Sequence, residues 1–415
     1  MTEFKNENWA PRFFTLWGGQ ALSLLGSQLV QFALIWYLTQ TTNSATTLAI
    51  ASLMGLLPQV LLSPFIGTWI DRGNRRLIMI FADATVALAT LGLAVLFALH
   101  LTQIWHIYGL LLVRAIAGGF HQSAFGASVV LLVPKERLAR VQGFNQALYG
   151  GLNIISAPLG AFLYAVLPMQ GILSIDILTA IIAITIVVLT QIPQLHRGVE
   201  AKATFFQDFV AGFRYIAAWR GLVIILLMVM VINFFYSAAE SLTPILISKH
   251  FQGNAQNLGI WQAMFATGTI IGGILLGAWG GFKKRIVTAQ FGLIILGLST
   301  LAIGFTSPKL LWFALVINTI SGFILPMVNG SFGAILQSVI APEMQGRVFA
   351  FIVSAASLVS PIGLMIAGPV ADMFGVPLWF RVAGLVCALM GLAGFFIHEV
   401  MQMEEEKKGL AAEPS

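Results

Sequence analysis

Twelve stretches of this chain each stay apolar for about twenty residues or more, the length at which a helix rising 1.5 Å per residue crosses a hydrocarbon layer about 30 Å thick. In that layer no water satisfies backbone N–H and C=O groups, so each stretch must satisfy its own as an α-helix. The spans fall near residues 13–38, 46–70, 77–100, 104–130, 142–167 and 171–192, then 220–247, 258–280, 286–306, 309–337, 348–370 and 378–398. Only 9% of residues are charged against 58% hydrophobic, too few to cover a soluble surface. The expected fold is an all-α integral membrane protein with twelve transmembrane helices.

The charges that remain are placed by topology. Lys5 and Arg12 precede the first span. Alternate connections carry Arg72, Arg75 and Arg76; Lys135, Arg137 and Arg140; Arg197, Lys202, Arg214 and Arg220; Lys283, Lys284 and Arg285; and Arg347. The tail has Lys407 and Lys408. Of the 22 basic residues, only Lys249, Lys309 and Arg381 fall on the other side, and Arg114 lies within a span. The positive-inside bias makes both termini cytoplasmic and accounts for the net charge of +6 without nucleic acid as a partner. Residues 1–11 are polar and lead into a full-length span, so no cleaved leader is expected. The single cysteine, Cys387, lies in the last span and offers neither a disulfide framework nor a metal site.

The longest connection divides the chain into a six-helix bundle at 1–192, a cytoplasmic linker at 193–219, a second bundle at 220–398 and a tail at 399–415. In the linker Phe205, Phe206, Phe209, Phe213 and Ile216 recur at helical spacing with Asp208 and Arg214 among them, which suits an amphipathic helix on the inner membrane face. A plain tether between the bundles is the alternative. The bundles read as copies. Gly67-Thr-Trp69 before a basic cluster recurs as Gly277-Ala-Trp279 before Lys283, Lys284 and Arg285. Pro134 with Arg140 recurs as Pro342 with Arg347, and Pro158-Leu-Gly160 as Pro361-Ile-Gly363. Duplicated bundles around a midplane site are a common transporter architecture.

Gly67, Asp71, Arg72, Arg75 and Arg76 resemble the loop signature of the major facilitator superfamily, Gly-x-x-x-Asp-Arg-x-Gly-Arg-Lys/Arg, with Asn74 in place of the second Gly. Arg114 with Gly118 is similar to the superfamily's fourth-helix motif. Gly151 through Pro158 and Gly160 approximates the fifth-helix motif of its antiporters, with Ala157 where that motif has Gly. Trp17 through Ser23, Ala82-Asp83, Ser174-Ile-Asp176 and Gly346-Arg347-Val-Phe are similar to the branch of bacterial macrolide-efflux and enterobactin-export permeases among the drug:proton antiporters. The resemblance covers essentially the whole chain and implies two pseudo-symmetric six-helix bundles. It also implies that spans one, four, seven and ten line a central pathway.

On those four spans polar residues form single-face stripes: Gln20, Ser23, Ser27 and Gln31; Arg114, Gly118, His121 or Gln122, and Phe125; Asn233, Tyr236, Ser237 and Glu240; Asn318, Ser321, Gly322 and Asn329. They are expected to face substrate, the alternative being amides and hydroxyls that bond neighbouring helices. An ion inside a bilayer must face protein or water. Arg114 lies roughly 15 Å within its span. Asp176 and Glu240 are the carboxylates expected to couple transport to protons, with an Arg114–Asp176 structural ion pair as the alternative reading. Asp83, nearer the cytoplasmic end, is expected to reach that interface or a neighbouring helix. Gly151, Pro158, Gly160, Pro361 and Gly363 are candidate hinges or tight packing points. Asp71 and the loop arginines are expected to latch the cytoplasmic ends of the bundles, and the second copy has Gly281 where the first has Asp71.

From the resemblance and the Phe-rich spans, the expected activity is proton-driven export of hydrophobic or amphipathic small molecules by alternating access, the chain acting as a monomer. Siderophore export and lysophospholipid flipping are the alternatives within transport, and a non-transporting membrane sensor a more distant one. No His-Glu-x-x-His, Gly-x-Ser-x-Gly or phosphate-loop element is present, so no enzyme, cofactor, metal or ATP-driven pump is expected.

Overall fold

The computed structural model describes residues 9–190 and 205–403. Six long helices come first: α1 (Trp9–Thr42), α2 (Ala45–Arg72), α3 (Arg75–Ala98), α4 (Ile104–Leu132), α5 (Leu138–Val166) and α6 (Met169–Leu189). A shorter α7 (Phe205–Ala217) follows. The second set is α8 (Arg220–Ser241), α10 (Ala255–Trp279), α11 (Arg285–Phe305), α12 (Leu311–Val339), α13 (Pro342–Phe374) and α14 (Val376–Phe396). Short α9 (Thr243–Ile245) with a π turn at Leu246–His250 extends α8, and α15 (His398–Met401) closes the described chain. Twelve of these helices are long and apolar enough to cross a membrane, and they coincide with the twelve expected spans. The linker residues 193–204 and the tail from 404 lie outside the described residues.

Two compact units emerge. One holds α1 to residue 41, α2 from residue 50, and α3–α6; the other holds residues 42–49 and the chain from α7 onward. Within the first unit α3 packs on α4 and α6; within the second α11 packs on α12 and α14, the same pairing of third span with fourth and sixth. Polar bonds tie α1 to α5 along their length. Trp17 Nε1 donates to Asn145 Oδ1 (2.9 Å), Ser156 Oγ to Gln28 Oε1 (2.6 Å) and Tyr164 Oη to Gln40 Oε1 (2.9 Å). Such bonds substitute for the hydrophobic driving force that lipid removes.

Helix ends show why the basic loops are built as they are. Asn74, which stands where the loop signature has Gly, is the N-cap of α3, its side chain accepting from Leu77 N. In the second copy α10 stops at Trp279, and the chain turns through left-handed Gly280 (φ 77°) and Gly281 (φ 85°). Glycine therefore occupies the position of Asp71 because the backbone there takes a conformation that costs other residues energy. Arg75 donates to Ala127 O near the end of α4 (3.2 Å), and Arg285 donates to Ala334 O near the end of α12 (3.4 Å). Arg76 reaches Val187 O (3.1 Å) and Val188 O at the end of α6. Arg76 thus meets orphan carbonyls at the negative end of α6, and Arg75 and Arg285 bond carbonyls in the last two turns of α4 and α12.

The helix α7 forms where the linker pattern indicates. Part of its apolar stripe, from Phe209 to Ile216, packs on α13 and the core of the second unit, while Phe213 stays half exposed. Phe209 and Phe213 stack against Phe351 of α13 (4.7 and 5.6 Å between centroids), Ile216 is fully buried, and Tyr215 Oη accepts from Ala341 N. At the other end of α13, Asp372 caps the start of α2. It accepts from Ser44 Oγ (2.8 Å), Ala45 N (2.7 Å) and Thr46 N (2.9 Å). Ser44 Oγ itself accepts from Thr47 N, so the first three amides of α2 are satisfied.

Candidate functional site

A cavity of about 300 Å³ opens inside the first unit. All six helices contribute: Trp17, Gln20 and Ser27 from α1, Gln59 from α2, Asp83 and Val86 from α3, Arg114, His121, Gln122 and Phe125 from α4, Asn145, Leu148 and Tyr149 from α5, and Asp176 from α6. Its walls are mainly aromatic and aliphatic, with a few convergent polar groups, the usual character of a small-molecule pocket.

One ion pair anchors it. Arg114 NH1 donates to Asp176 Oδ2 at 2.6 Å while NH2 donates to Ser27 O at 3.0 Å. Asp176 also accepts from Ser27 Oγ (3.1 Å) and Thr90 Oγ1 (3.4 Å), and its side chain is 2% exposed. The carboxylate gets this close to α1 because Gly26 leaves room: a Cβ there would collide with Thr179 Oγ1 and lie 3.3 Å from the Asp176 Cα. Of the two readings open for this arginine and aspartate, the structure shows the ion pair. A second polar pair lies on α3 and α4. His121 Nε2 is 3.5 Å from Asp83 Oδ2, with side-chain exposures of 19% and 12%. Asp83 thus meets a neighbouring helix, and it also lines the cavity.

The sequence stripes separate under this geometry. Gln20, Ser27, Arg114 and His121 line the cavity, whereas Gln31 is exposed away from it. In the second unit Asn233 bonds its own helix at Val229 O, and Asn318, buried, donates to Trp261 O and so ties α12 to α10. Tyr236 packs against that unit's apolar core, Asn329 is exposed, and Glu240 is exposed with no hydrogen bond or ion pair among the described residues. Gln59, Asn145 and Tyr149 join the cavity from helices not singled out by the stripes. For Asn145 and Tyr149 the i, i+4 spacing on α5 was the available signal. The side chains of Gly67, Asp71 and Arg72 lie outside the described residues.

The candidate hinges divide. Gly160 packs α5 on α1, with a Cβ there placed 3.1 Å from the Phe32 ring, and Gly363 packs α13 on α8, where a Cβ would meet the carbonyl of Phe234. Fifth on first and eleventh on seventh are equivalent contacts of the duplicated units. A methyl on Gly151 would meet nothing within 4 Å, so packing does not require glycine there. Pro158 and Pro361 each lie inside a continuous helix.

Twelve spanning helices, duplicated helix pairings and a polar-lined cavity within one bundle define a multi-pass membrane transporter. The family model for the Major Facilitator Superfamily matches residues 16–360 and again 225–414, and the chain belongs to that superfamily. It is 34% identical over 401 residues to macrolide efflux protein A of Streptococcus pyogenes, covering 96% of this chain and 99% of that protein. It is 23% identical over 414 residues to the multidrug efflux pump Tap of Mycobacterium tuberculosis, covering 96% of each. The crystal structure of the nucleoside transporter NupG shares the fold with a TM-score of 0.73 at 12% identity, covering 95% of this chain and 100% of that one.

Proposed function

We propose that this protein exports hydrophobic or amphipathic small molecules of the macrolide or multidrug type, by proton antiport and alternating access. It would act as a monomer in the bacterial cytoplasmic membrane, with both termini inside. The observation that carries the reading is the cavity: aromatic and aliphatic walls favour an apolar solute, and a few ionisable groups inside them can exchange protons. The near full-length similarity to efflux proteins supports the same substrate class. Arg114 and Asp176 are committed to each other and hold α1, α4 and α6 in register, while Glu240 stands in the second unit with its side chain exposed.

The test is accumulation of externally supplied radiolabelled erythromycin by purified protein in proteoliposomes. An imposed pH gradient should accelerate macrolide movement against its concentration gradient, and a protonophore should abolish the acceleration. Movement that ignores the pH gradient would remove antiport. Absence of macrolide movement, with proton-coupled movement of a siderophore or lysophospholipid, would move the protein to another substrate class.

A further inference from the structure

We propose that Asp83 and His121 together bind the proton that exchanges with substrate, in preference to Asp176 or Glu240. The inference rests on the antiport reading and names the group that carries it.

The two polar pairs of the first unit differ in how finished they are. Asp176 is shut away at 2% exposure, and a permanently charged guanidinium and two hydroxyls occupy its oxygens. Its oxygens already take three bonds, whereas none is made by the facing atoms of Asp83 and His121. Each lines the cavity and is partly exposed to it. Their facing atoms are 3.5 Å apart, beyond the usual 2.7–3.2 Å of a hydrogen bond. Asp83 Oδ2 and His121 Nε2 have no hydrogen-bond partner among the described residues, and Gln20 faces Asp83 from α1. Buried polar atoms left open in this way call for an explanation.

A single proton supplies one. Taken from cavity water, it lies between Oδ2 and Nε2 and turns an open contact into a charge-assisted hydrogen bond. The hydronium ion that delivers it loses one O–H bond and leaves as water, and return of the proton to another water restores the open state. The groups around the site are consistent with that role. His121 is held by its ring, parallel to Phe125 at 6.4 Å and 8°. Gln20 approaches from α1, Gln59 lies on α2, Tyr149 on α5, and the charged neighbours are Arg114 on α4 and Asp176 on α6, which neutralise each other. Because Gln20, Asp83 and His121 border the same space as Trp17 and Phe125, a solute in the cavity displaces the water through which the proton arrives. Proton and solute therefore compete for one space, which is the requirement for exchange.

Two measurements test this. Protein labelled with ¹⁵N-histidine in nanodiscs gives a pair of ring-nitrogen signals for each of six histidines, and H121Q identifies the signal of His121 Nε2 by its loss. In the unmodified protein that signal should respond to pH, and D83N should alter that response, because it removes the carboxylate facing the ring. In proteoliposomes, D83N and H121Q should lose at least about tenfold of the acceleration that a pH gradient gives to erythromycin transport. A His121 signal whose titration ignores D83N, or full coupling in both variants, overturns the inference. If the unmodified protein moves no erythromycin, the antiport reading has failed, and the titration alone decides whether the pair shares a proton. That measurement needs no variant to transport, and H121Q serves it only for assignment.

Discussion

Removing Arg114 should cost far more stability than removing it together with Asp176. In Arg114→Met, Asp176 keeps only the Ser27 and Thr90 hydroxyls, at 3.1 and 3.4 Å, and a 2% exposed anion remains in a membrane-embedded bundle. Breaking a buried pair from one side costs about 3–5 kcal/mol, because the remaining charge stays desolvated. In Asp176→Leu, the guanidinium keeps its bond to Ser27 O and is 10% exposed to the cavity, so the loss should fall at or below the lower end of that range. In the double variant no charge is left, and similar apolar volume should bring the cost to about 1 kcal/mol or less. The double-mutant cycle should then give a coupling of roughly 3 kcal/mol or more. Reversible unfolding in mixed micelles with increasing SDS, followed by tryptophan fluorescence, measures all four proteins. Additive single losses, or an Arg114→Met loss below about 1 kcal/mol, would show that water reaches the carboxylate and that the pair is not a desolvated anchor.

Two further outcomes follow from packing and capping. Gly363→Ala places a methyl against the Phe234 carbonyl and should lower the thermal midpoint of the purified protein by several degrees, whereas Gly151→Ala, with open space around it, should leave it unchanged or raise it through helix propensity worth about 1 kcal/mol. Asp372→Ala removes the acceptor of the Ala45 and Thr46 amides, so these should exchange hydrogen at least about fivefold faster by mass spectrometry, corresponding to about 1 kcal/mol, while Thr47, held by Ser44, is less affected.

The twelve spans were legible because lipid forces a yes-or-no length requirement on every apolar run. What the sequence concealed is which way each helix faces. In a helix as uniformly apolar as α6, the lone charge at Asp176 is the only mark of an inward side, and its partner could be named only as an option. For Asp83, eight residues from the basic loop, sequence allows either the interface or a neighbouring helix. The cavity reaches that far toward the loop, and the packing of α3 on α4 and α6 decides its neighbours. Asn318 and Gln20 are both amides on apolar helices, yet one bonds a backbone carbonyl of α10 and the other borders the cavity beside Asp83. Side-chain type sets what such a residue can do, and only the neighbouring helix determines which of those things it does. The linker helix makes the same point: its amphipathic stripe was clear, but whether lipid or α13 covers it was not.

The arginines of the first basic loop also set a timetable. Arg75 and Arg76 are adjacent in the chain, yet their partners are synthesised far apart: Ala127 near the end of α4, and Val187 and Val188 at the end of α6. As the ribosome delivers helices to the bilayer, Arg75 can find its carbonyl once four spans are in place, while Arg76 must wait for all six. The two bonds of the loop therefore become available at different points of synthesis. Arg285, bonded to Ala334 of α12, repeats the earlier of the two for the second bundle.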